Sequence, residues 1–379
     1  MRDLTIPFVE LRGSARERGR QHGEFARGQI GSALAFYADA IGTATGLCWP
    51  QVTERVAGLL EPCRRFAPDL VEEMTGIAEG AGVELTDILA LNARGELVRD
   101  RLPADEDLDS DGCSSFALLA EATGDGHVYC GQNWDWRCGI SDTIVVVRIV
   151  QPPKPTVLMH LEAGQVGRQG ANSAGLALNA NGLGGRFVTT RGLPQPLIRR
   201  KVLDAATVYE ALDVLSRADQ QIASNALLTH RDGFAIDVET TPGAHGWMYP
   251  EGGILVHGNH YQAFVPPQLA ADYRPRPVDS LYRVPRISAA LRRAREATTS
   301  EAVRQVIREA FADHFGYPAA VCTHPDERVA EVRRWSTVLH NCIDLTTGEY
   351  RVTAGNPCTE EYQLLPWNLH DGPGAPATG

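Results

Sequence analysis

The patterning of this chain changes character at Asp111-Gly112-Cys113-Ser114-Ser115, and that seam limits what it can fold into. Before it, apolar residues recur at helical spacing. Phe25, Leu34, Tyr37 and Ile41 mark a helix over 14–42, and Val52, Val56, Leu59, Leu60 and Cys63 mark a second over 51–66. A third is predicted over 69–81, with Pro68 near its start and Gly80 and Gly82 at its end, and a fourth from Thr86-Asp87 to about Arg99. After the seam the chain reads as strand. Ser115–Glu121, His127–Trp134, Thr143–Val150 and Thr156–Glu162 are β-branched or aromatic runs separated by turn signals. Leu176–Leu183, Ala226–Thr240 and a closing pair at 336–353 continue the pattern, with helices predicted near 206–217 and across 284–312. Strand groups with helices segregated between them predict a layered α+β fold rather than a doubly wound parallel sheet.

The residues leading into the seam, 100–112, are rich in acid and poor in apolar side chains, which predicts a solvated loop open to displacement or trimming. A formal net charge of −11 argues against a nucleic-acid partner. No apolar stretch approaches the length that crosses a bilayer, and the first residues lack the pattern of a secretory signal. The expected compartment is therefore the cytoplasm, where disulfides are improbable. The eight cysteines form no Cys-x-x-Cys pair and no zinc-finger spacing, so they read as small buried side chains, and no metal is expected.

Cys113 is the exception. Cleavage of the Gly112–Cys113 bond would leave one residue carrying both a thiol and an α-amine. A free thiol has a pKa of about 8.5 and an α-amine about 7.7–8.0, so the amine can serve as the base for its own thiol. Gly112, without a Cβ, tolerates the backbone distortion that attack on its carbonyl requires. A hairpin out along 115–121 and back along 127–134 returns Asp135 towards Cys113, where a carboxylate could hold the new ammonium group. Asn259, in Val256-His257-Gly258-Asn259-His260, offers an amide donor for an oxyanion, whereas His257 and His260 read as lining residues. Asn179 and Asn181 share one strand face, and one of them can reach the site. Asp279 and Ser280 read as the capped start of a helix that carries Arg283.

In order along the chain, Arg18-Gly19-Arg20-Gln21-His22-Gly23, Asp111-Gly112-Cys113, Gly131-Gln132-Asn133-Trp134-Asp135, Glu162-Ala163-Gly164, Asn172-Ser173-Ala174-Gly175, Asn259 and Ser280-x-x-Arg283 resemble the acyl-coenzyme A:6-aminopenicillanate acyltransferase family of N-terminal nucleophile hydrolases. The resemblance implies a four-layer αββα sandwich and self-cleavage before Cys113. A helical pro-segment, 1–112, would be retained as a small second chain beside a catalytic chain, 113–379. Cys113, Asp135, Asn259 and Arg283 would form the catalytic set, with Asn181 as a further oxyanion or substrate contact, and no cofactor is implied. After Tyr317-Pro318, where the resemblance leads to a further arginine, this chain instead has Cys322-Thr323-His324-Pro325.

The leading expectation is an amidohydrolase cleaving a small N-acyl or aminoacyl amide through an acyl-cysteine. The alternatives are an N-acyltransferase using acyl-coenzyme A and an unprocessed, non-catalytic relative. A nucleotide-bearing donor calls for a basic channel, and Arg199-Arg200-Lys201 is the only compelling basic cluster.

Overall fold

The computed structural model describes residues 4–99, 112–185, 187 and 192–372, so the acidic segment up to Asp111 lies outside the described residues. Among the described residues, seven helices precede the seam: α1 (Ala15–Phe25), α2 (Arg27–Thr45), α3 (Trp49–Ala57), α4 (Leu60–Phe66), α5 (Pro68–Ala81), α6 (Leu85–Asn92) and α7 (Arg94–Arg99). Three of the four helices expected here are each split in two, at Ala26, at Gly58-Leu59 and at Ala93. Four more helices among the described residues follow the seam: α8 (Gln195–Leu203), α9 (Val208–Arg217), α10 (Ser280–Leu291) and α11 (Ser300–Phe311).

The strands are β1 (Phe8–Arg12), β2 (Ser114–Leu118), β3 (Tyr129–Arg137), β4 (Ile144–Val150), β5 (Val157–Glu162), β6 (Gln169–Asn172) and β7 (Leu176–Asn179). They continue with β8 (Ser224–His230), β9 (Phe234–Thr240), β10 (His245–Met248), β11 (Ile254–His257), β12 (Trp335–Asp344), β13 (Glu349–Thr353) and β14 (Gln363–Leu364). Eight form one sheet in the order β1-β4-β5-β6-β7-β8-β9-β10, and six form the other, β11-β2-β3-β12-β13-β14. The sheets pack face to face: the Ala180 N–H donates to Gln132 Oε1 at 3.0 Å, and His160 meets the Tyr350 hydroxyl at 2.7 Å. Helices α10 and α11 cover the outer face of the six-stranded sheet, where Ile287, Leu291 and Phe311 pack on Phe116, Tyr129 and Cys342. Helix α8 covers the eight-stranded sheet, with the carbonyls of Leu203 and Ala205 accepting from Asn172 Nδ2.

The result is the αββα sandwich. It explains why β2, β3, β4 and β5 are buried along their whole length. Each sheet has a second sheet on one face and helices on the other, so β4 and β5 read as near-continuous apolar runs, while β2 and β3 bury polar side chains of the site region as well.

The region before the seam is not purely helical. β1 pairs parallel with β4 at the edge of the eight-stranded sheet, from Phe8↔Val146 to Arg12↔Val150. Helices α1 and α5 approach through interlocked glycines. A Cβ on Gly19 would lie 2.0 Å from the Glu73 carbonyl oxygen, and one on Gly76 would lie 2.1 Å from that of Arg16. Gly23 and Gly80 repeat the arrangement one turn on. Between them a buried ion network crosses the seam: Arg18 to Glu73 at 3.2 Å, Glu73 to Arg200 at 2.7 Å, and Arg200 to Asp204 at 2.8 Å.

Gly19→Ala is expected to destabilise the protein by about 1–3 kcal/mol through overpacking. Gly31→Ala, on α2 where nothing lies within 4 Å of the added carbon, is expected to stabilise it by up to about 1 kcal/mol. Urea denaturation of the two variants checks this, and equal effects would remove the close-approach explanation.

Candidate active site

Strand register builds the site. β11 runs antiparallel to β2 with His257 opposite Ser115, and β3 lies on its other side with Asn133 opposite Ser114. Continuing both pairings past the strand ends brings Asn259 abreast of Cys113, and Asp135 abreast of Gly112. β12 then supplies Thr337 opposite Asp135. The side chain of Cys113 is wholly buried.

Arg283 joins these strands. It projects from the first turns of α10 and is wholly buried. Its Nη1 donates to the Gly112 carbonyl at 3.0 Å, to the Cys113 carbonyl at 2.8 Å and to Ser114 Oγ at 2.6 Å. Its Nη2 donates to Asn259 Oδ1 at 2.7 Å, and its Nε to Asp279 Oδ2 at 2.7 Å. Asp279 and Ser280 do open this helix, at the N-cap and first positions, but their side chains do not cap it. Asp279 makes no side-chain capping bond and instead orients Arg283, while Ser280 Oγ accepts the Asn259 backbone N–H at 2.7 Å.

Asp135 is buried beside the seam, accepting from Thr337 Oγ1 at 2.6 Å and Thr323 Oγ1 at 3.1 Å. Burial raises its pKa to about 7, against the opposing pull of Arg283 and the two threonine hydroxyls. The same carboxylate accounts for Gly112. A Cβ there would sit 2.9 Å from Asp135 Cβ, and Gly112 is not among the glycines with positive φ, so close approach rather than backbone distortion demands glycine.

Asn259 Nδ2 donates to the Gly182 carbonyl at 3.1 Å. Of the two asparagines on one face, Asn181 reaches β2, but its Nδ2 is committed to Ser115 Oγ and to the carbonyls of His257 and Gly258 at 3.0–3.1 Å. That removes its amide group from the set of oxyanion donors and makes it a clamp on the end of β11. His257 is paired internally with Glu239 at 2.9 Å. Burial disfavours its charged form, but Asp237 and Glu239 outweigh this and raise its pKa to about 9. His22 is structural as well: burial lowers it to about 4, and its Nε2 accepts the Gly164 N–H at 3.3 Å. Glu162 is held by Tyr37 at 2.7 Å and Arg94 at 2.5 Å. Within the Arg199-Arg200-Lys201 cluster, Arg200 is wholly buried against Glu73 and Asp204, whereas Arg199 lines a cavity with Arg94 and Arg168. Gly112, Asp135, Pro277, Thr323, Arg334 and Trp335 line a cavity of about 230 Å³ beside the seam. Among the described residues no helix is long and apolar enough to cross a membrane.

The sequence profile of acyl-coenzyme A:6-aminopenicillanic acid acyl-transferase matches residues 122–357, more than half of the chain. The chain belongs to this acyltransferase family. It is 27% identical over 358 residues, 92% of each chain, to the 40 kDa form of acyl-coenzyme A:6-aminopenicillanic-acid-acyltransferase of Emericella nidulans. Among solved structures it is similar to penicillin V acylase from Agrobacterium tumefaciens, with TM-score 0.43 and 19% identity over 64% of this chain and 83% of that one. It is also similar to conjugated bile acid hydrolase from Clostridium perfringens, with TM-score 0.45 and 15% identity over 68% of this chain and 98% of that one.

Ser114, Thr323 and Thr337 escape a sequence reading because each acts on a catalytic candidate through tertiary contact, as Ser280 does on Asn259. Only Ser280-x-x-Arg283, as a unit, carried a local signal.

The raised pKa of Asp135 has a definite sign in stability. The folded chain keeps the proton up to about 7 against 3.8 for an ordinary aspartate, so this contribution is complete below the unfolded value and is lost as pH rises through about 7. In a Cys113→Ala background, the stability of the chain relative to its Asp135→Asn counterpart should fall between about pH 4 and about pH 8. Urea titrations across that range check it, and a pH-independent difference would contradict a raised pKa.

Proposed function

We propose that this chain is the precursor of an N-terminal cysteine amidohydrolase that cuts itself between Gly112 and Cys113. The observation that carries this reading is the Arg283 guanidinium 3.0 Å from the Gly112 carbonyl oxygen, the oxygen that becomes negative when that carbonyl is attacked. In self-cleavage, Cys113 Sγ attacks the Gly112 carbonyl carbon. Arg283 Nη1 stabilises the resulting oxyanion, as preorganised donors in a dry site do. Asp135, with a pKa near neutrality and its carboxylate beside Gly112, takes the thiol proton and returns it to the departing amine nitrogen. The C–N bond breaks, a thioester links Gly112 to Cys113, and water hydrolyses it to a Gly112 carboxylate and a free thiol. While the bond is intact, the burial of Cys113 keeps substrates from the sulfur.

In the mature enzyme the new α-amine pairs with Asp135 and acts as the base for its own thiol. Cys113 attacks the carbonyl of a small N-acyl or aminoacyl amide, Asn259 contributes an amide donor to the oxyanion, and water releases the acyl group. Arg283 serves to orient the centre rather than to react. It holds the Cys113 carbonyl, Ser114 and Asn259 in register. The pro-segment, residues 1–112, stays bound as a second chain through the β1–β4 pairing and the Glu73–Arg200 ion pair, both of which cross the seam and support its retention.

Family membership favours a second reading, transfer of the acyl group from acyl-coenzyme A to an amine. The internal pairing of Arg200 and the modest size of the cavity beside Gly112 favour hydrolysis.

Cys113→Ala is expected to remain one full-length chain on a denaturing gel, and two chains in that variant would discard the mechanism. Asn259→Ala is expected to lower kcat by about 10²–10³ with the fold retained. Incubating the protein with acyl-coenzyme A and a mixture of amines separates the two readings. Release of free acid without N-acylated product is expected, and an N-acylated product would establish the transferase.

A further inference from the structure

Beside the catalytic candidates, four side chains converge from three separate stretches of sequence. His314 follows α11, Cys322 and His324 flank Thr323 in the loop before β12, and Cys358 follows β13. Their ligand atoms all lie within 4.8 Å of one another. Cys322 Sγ is 3.6 Å from Cys358 Sγ and 3.6 Å from His324 Nε2. Cys358 Sγ is 3.4 Å from His324 Nε2, which is 3.1 Å from His314 Nε2. The expectation of no metal, drawn from linear spacing, missed this group because the pattern Cys322-x-His324 is uninformative until the fold adds the other two.

We propose that these residues form a tetrahedral Cys₂His₂ site for a single zinc ion. Bonds of about 2.3 Å to sulfur and about 2.0–2.1 Å to nitrogen place tetrahedral ligands about 3.8 Å apart for S···S, about 3.6 Å for S···N and about 3.4 Å for N···N. Of the six separations, four follow that order and lie within about 0.3 Å of those values, and the two from His314 to the sulfurs lie within 4.8 Å, so His314 would close on the ion by up to about 1 Å. Two thiolates with two imidazoles in this arrangement select zinc over magnesium or calcium, which prefer oxygen. A Cys322–Cys358 disulfide would account for the two sulfurs but leave both imidazole nitrogens aimed at the same point without a reason.

The surroundings supply the outer contacts that a metal thiolate needs. Asn356 Nδ2 donates to Cys322 Sγ at 3.2 Å and to the Thr323 carbonyl at 2.7 Å, and Asn356 Oδ1 accepts from Ser336 Oγ at 3.1 Å. The loop backbone is fixed by Cys322 N–H to the Asp313 carbonyl at 3.1 Å and His324 N–H to the Pro318 carbonyl at 3.0 Å. Four protein ligands leave no open position, so the ion would be structural rather than a Lewis acid. Its effect on the proposed catalytic centre would be indirect. Thr323, between two ligands, donates to Asp135 Oδ2 at 3.1 Å, so the ion would set the position of one of the two hydroxyls that hold this carboxylate.

The test reads metal content, so it stands apart from any assay of activity. Full-length protein purified under reducing conditions without chelators, then dialysed, is analysed for metals by plasma mass spectrometry. About one zinc per chain is expected, with cobalt(II) replacement giving the strong visible bands of a tetrahedral thiolate site. His314→Ala, which alters an exposed side chain, and Cys358→Ser are each expected to lower zinc retention, and Asn356→Ala to weaken affinity by about 10–100-fold. Full retention of zinc in Cys358→Ser would overturn the site. So would substoichiometric uptake by reduced wild-type protein offered zinc, or a cobalt spectrum without thiolate bands.

Discussion

A single buried guanidinium holds the centre of this molecule together. Arg283 sits between the two strands flanking β2 and a helix on the outer face, and every one of its nitrogens is engaged. A buried charge is tolerated only when it is paired and fully hydrogen-bonded. That requirement dictates its surroundings: Asp279 supplies the counter-charge one helical turn earlier, and carbonyl and hydroxyl oxygens take the remaining donors. The geometry that solves the desolvation problem also places cationic N–H groups on the oxygen of the Gly112–Cys113 peptide bond. Stability and the proposed chemistry thus draw on the same contacts, and the residues around Arg283 cannot vary independently.

Asp135 extends this arrangement in the opposite electrostatic sense. Arg283 favours its charged form, yet burial wins and raises the pKa to about 7. A carboxyl held near neutrality against the very bond proposed to break is suited to moving a proton between sulfur and nitrogen. The region before the seam supports the centre from outside. Through β1 and the buried Glu73–Arg200 ion pair it is woven into the eight-stranded side of the sandwich, while the α1–α5 glycine contact holds its own helices together.

Much of this was legible in the sequence, for identifiable reasons. The change from helical recurrence to β-branched runs located the seam, and the hairpin logic that returned Asp135 to Gly112 follows from strand pairing alone. Period-based reading failed where the chain had local freedom. It merged α1 with α2 across Ala26, because nothing in composition marks a turn there. It missed β1, whose pairing partner lies more than a hundred residues away. It assigned Asp279 and Ser280 to capping, the commonest local role for such residues; the Asp279–Arg283 pair, one helical turn apart, was open to a spacing rule, whereas the contact of Ser280 with Asn259 becomes visible only in three dimensions. Asn181 lay in the right place but with its donors already spent on backbone carbonyls, a fact no spacing rule contains. The Cys322, His324, His314 and Cys358 cluster failed for the same reason, being assembled by tertiary structure.

The claim on which the rest depends is that the Gly112–Cys113 bond breaks itself and leaves a free amine beside the thiol. Intact-mass analysis of catalytically active wild-type protein, with sequencing of its N-termini, addresses this most directly. The account predicts two co-purifying polypeptides, the larger beginning with Cys113. Activity residing in a single undivided chain would contradict it.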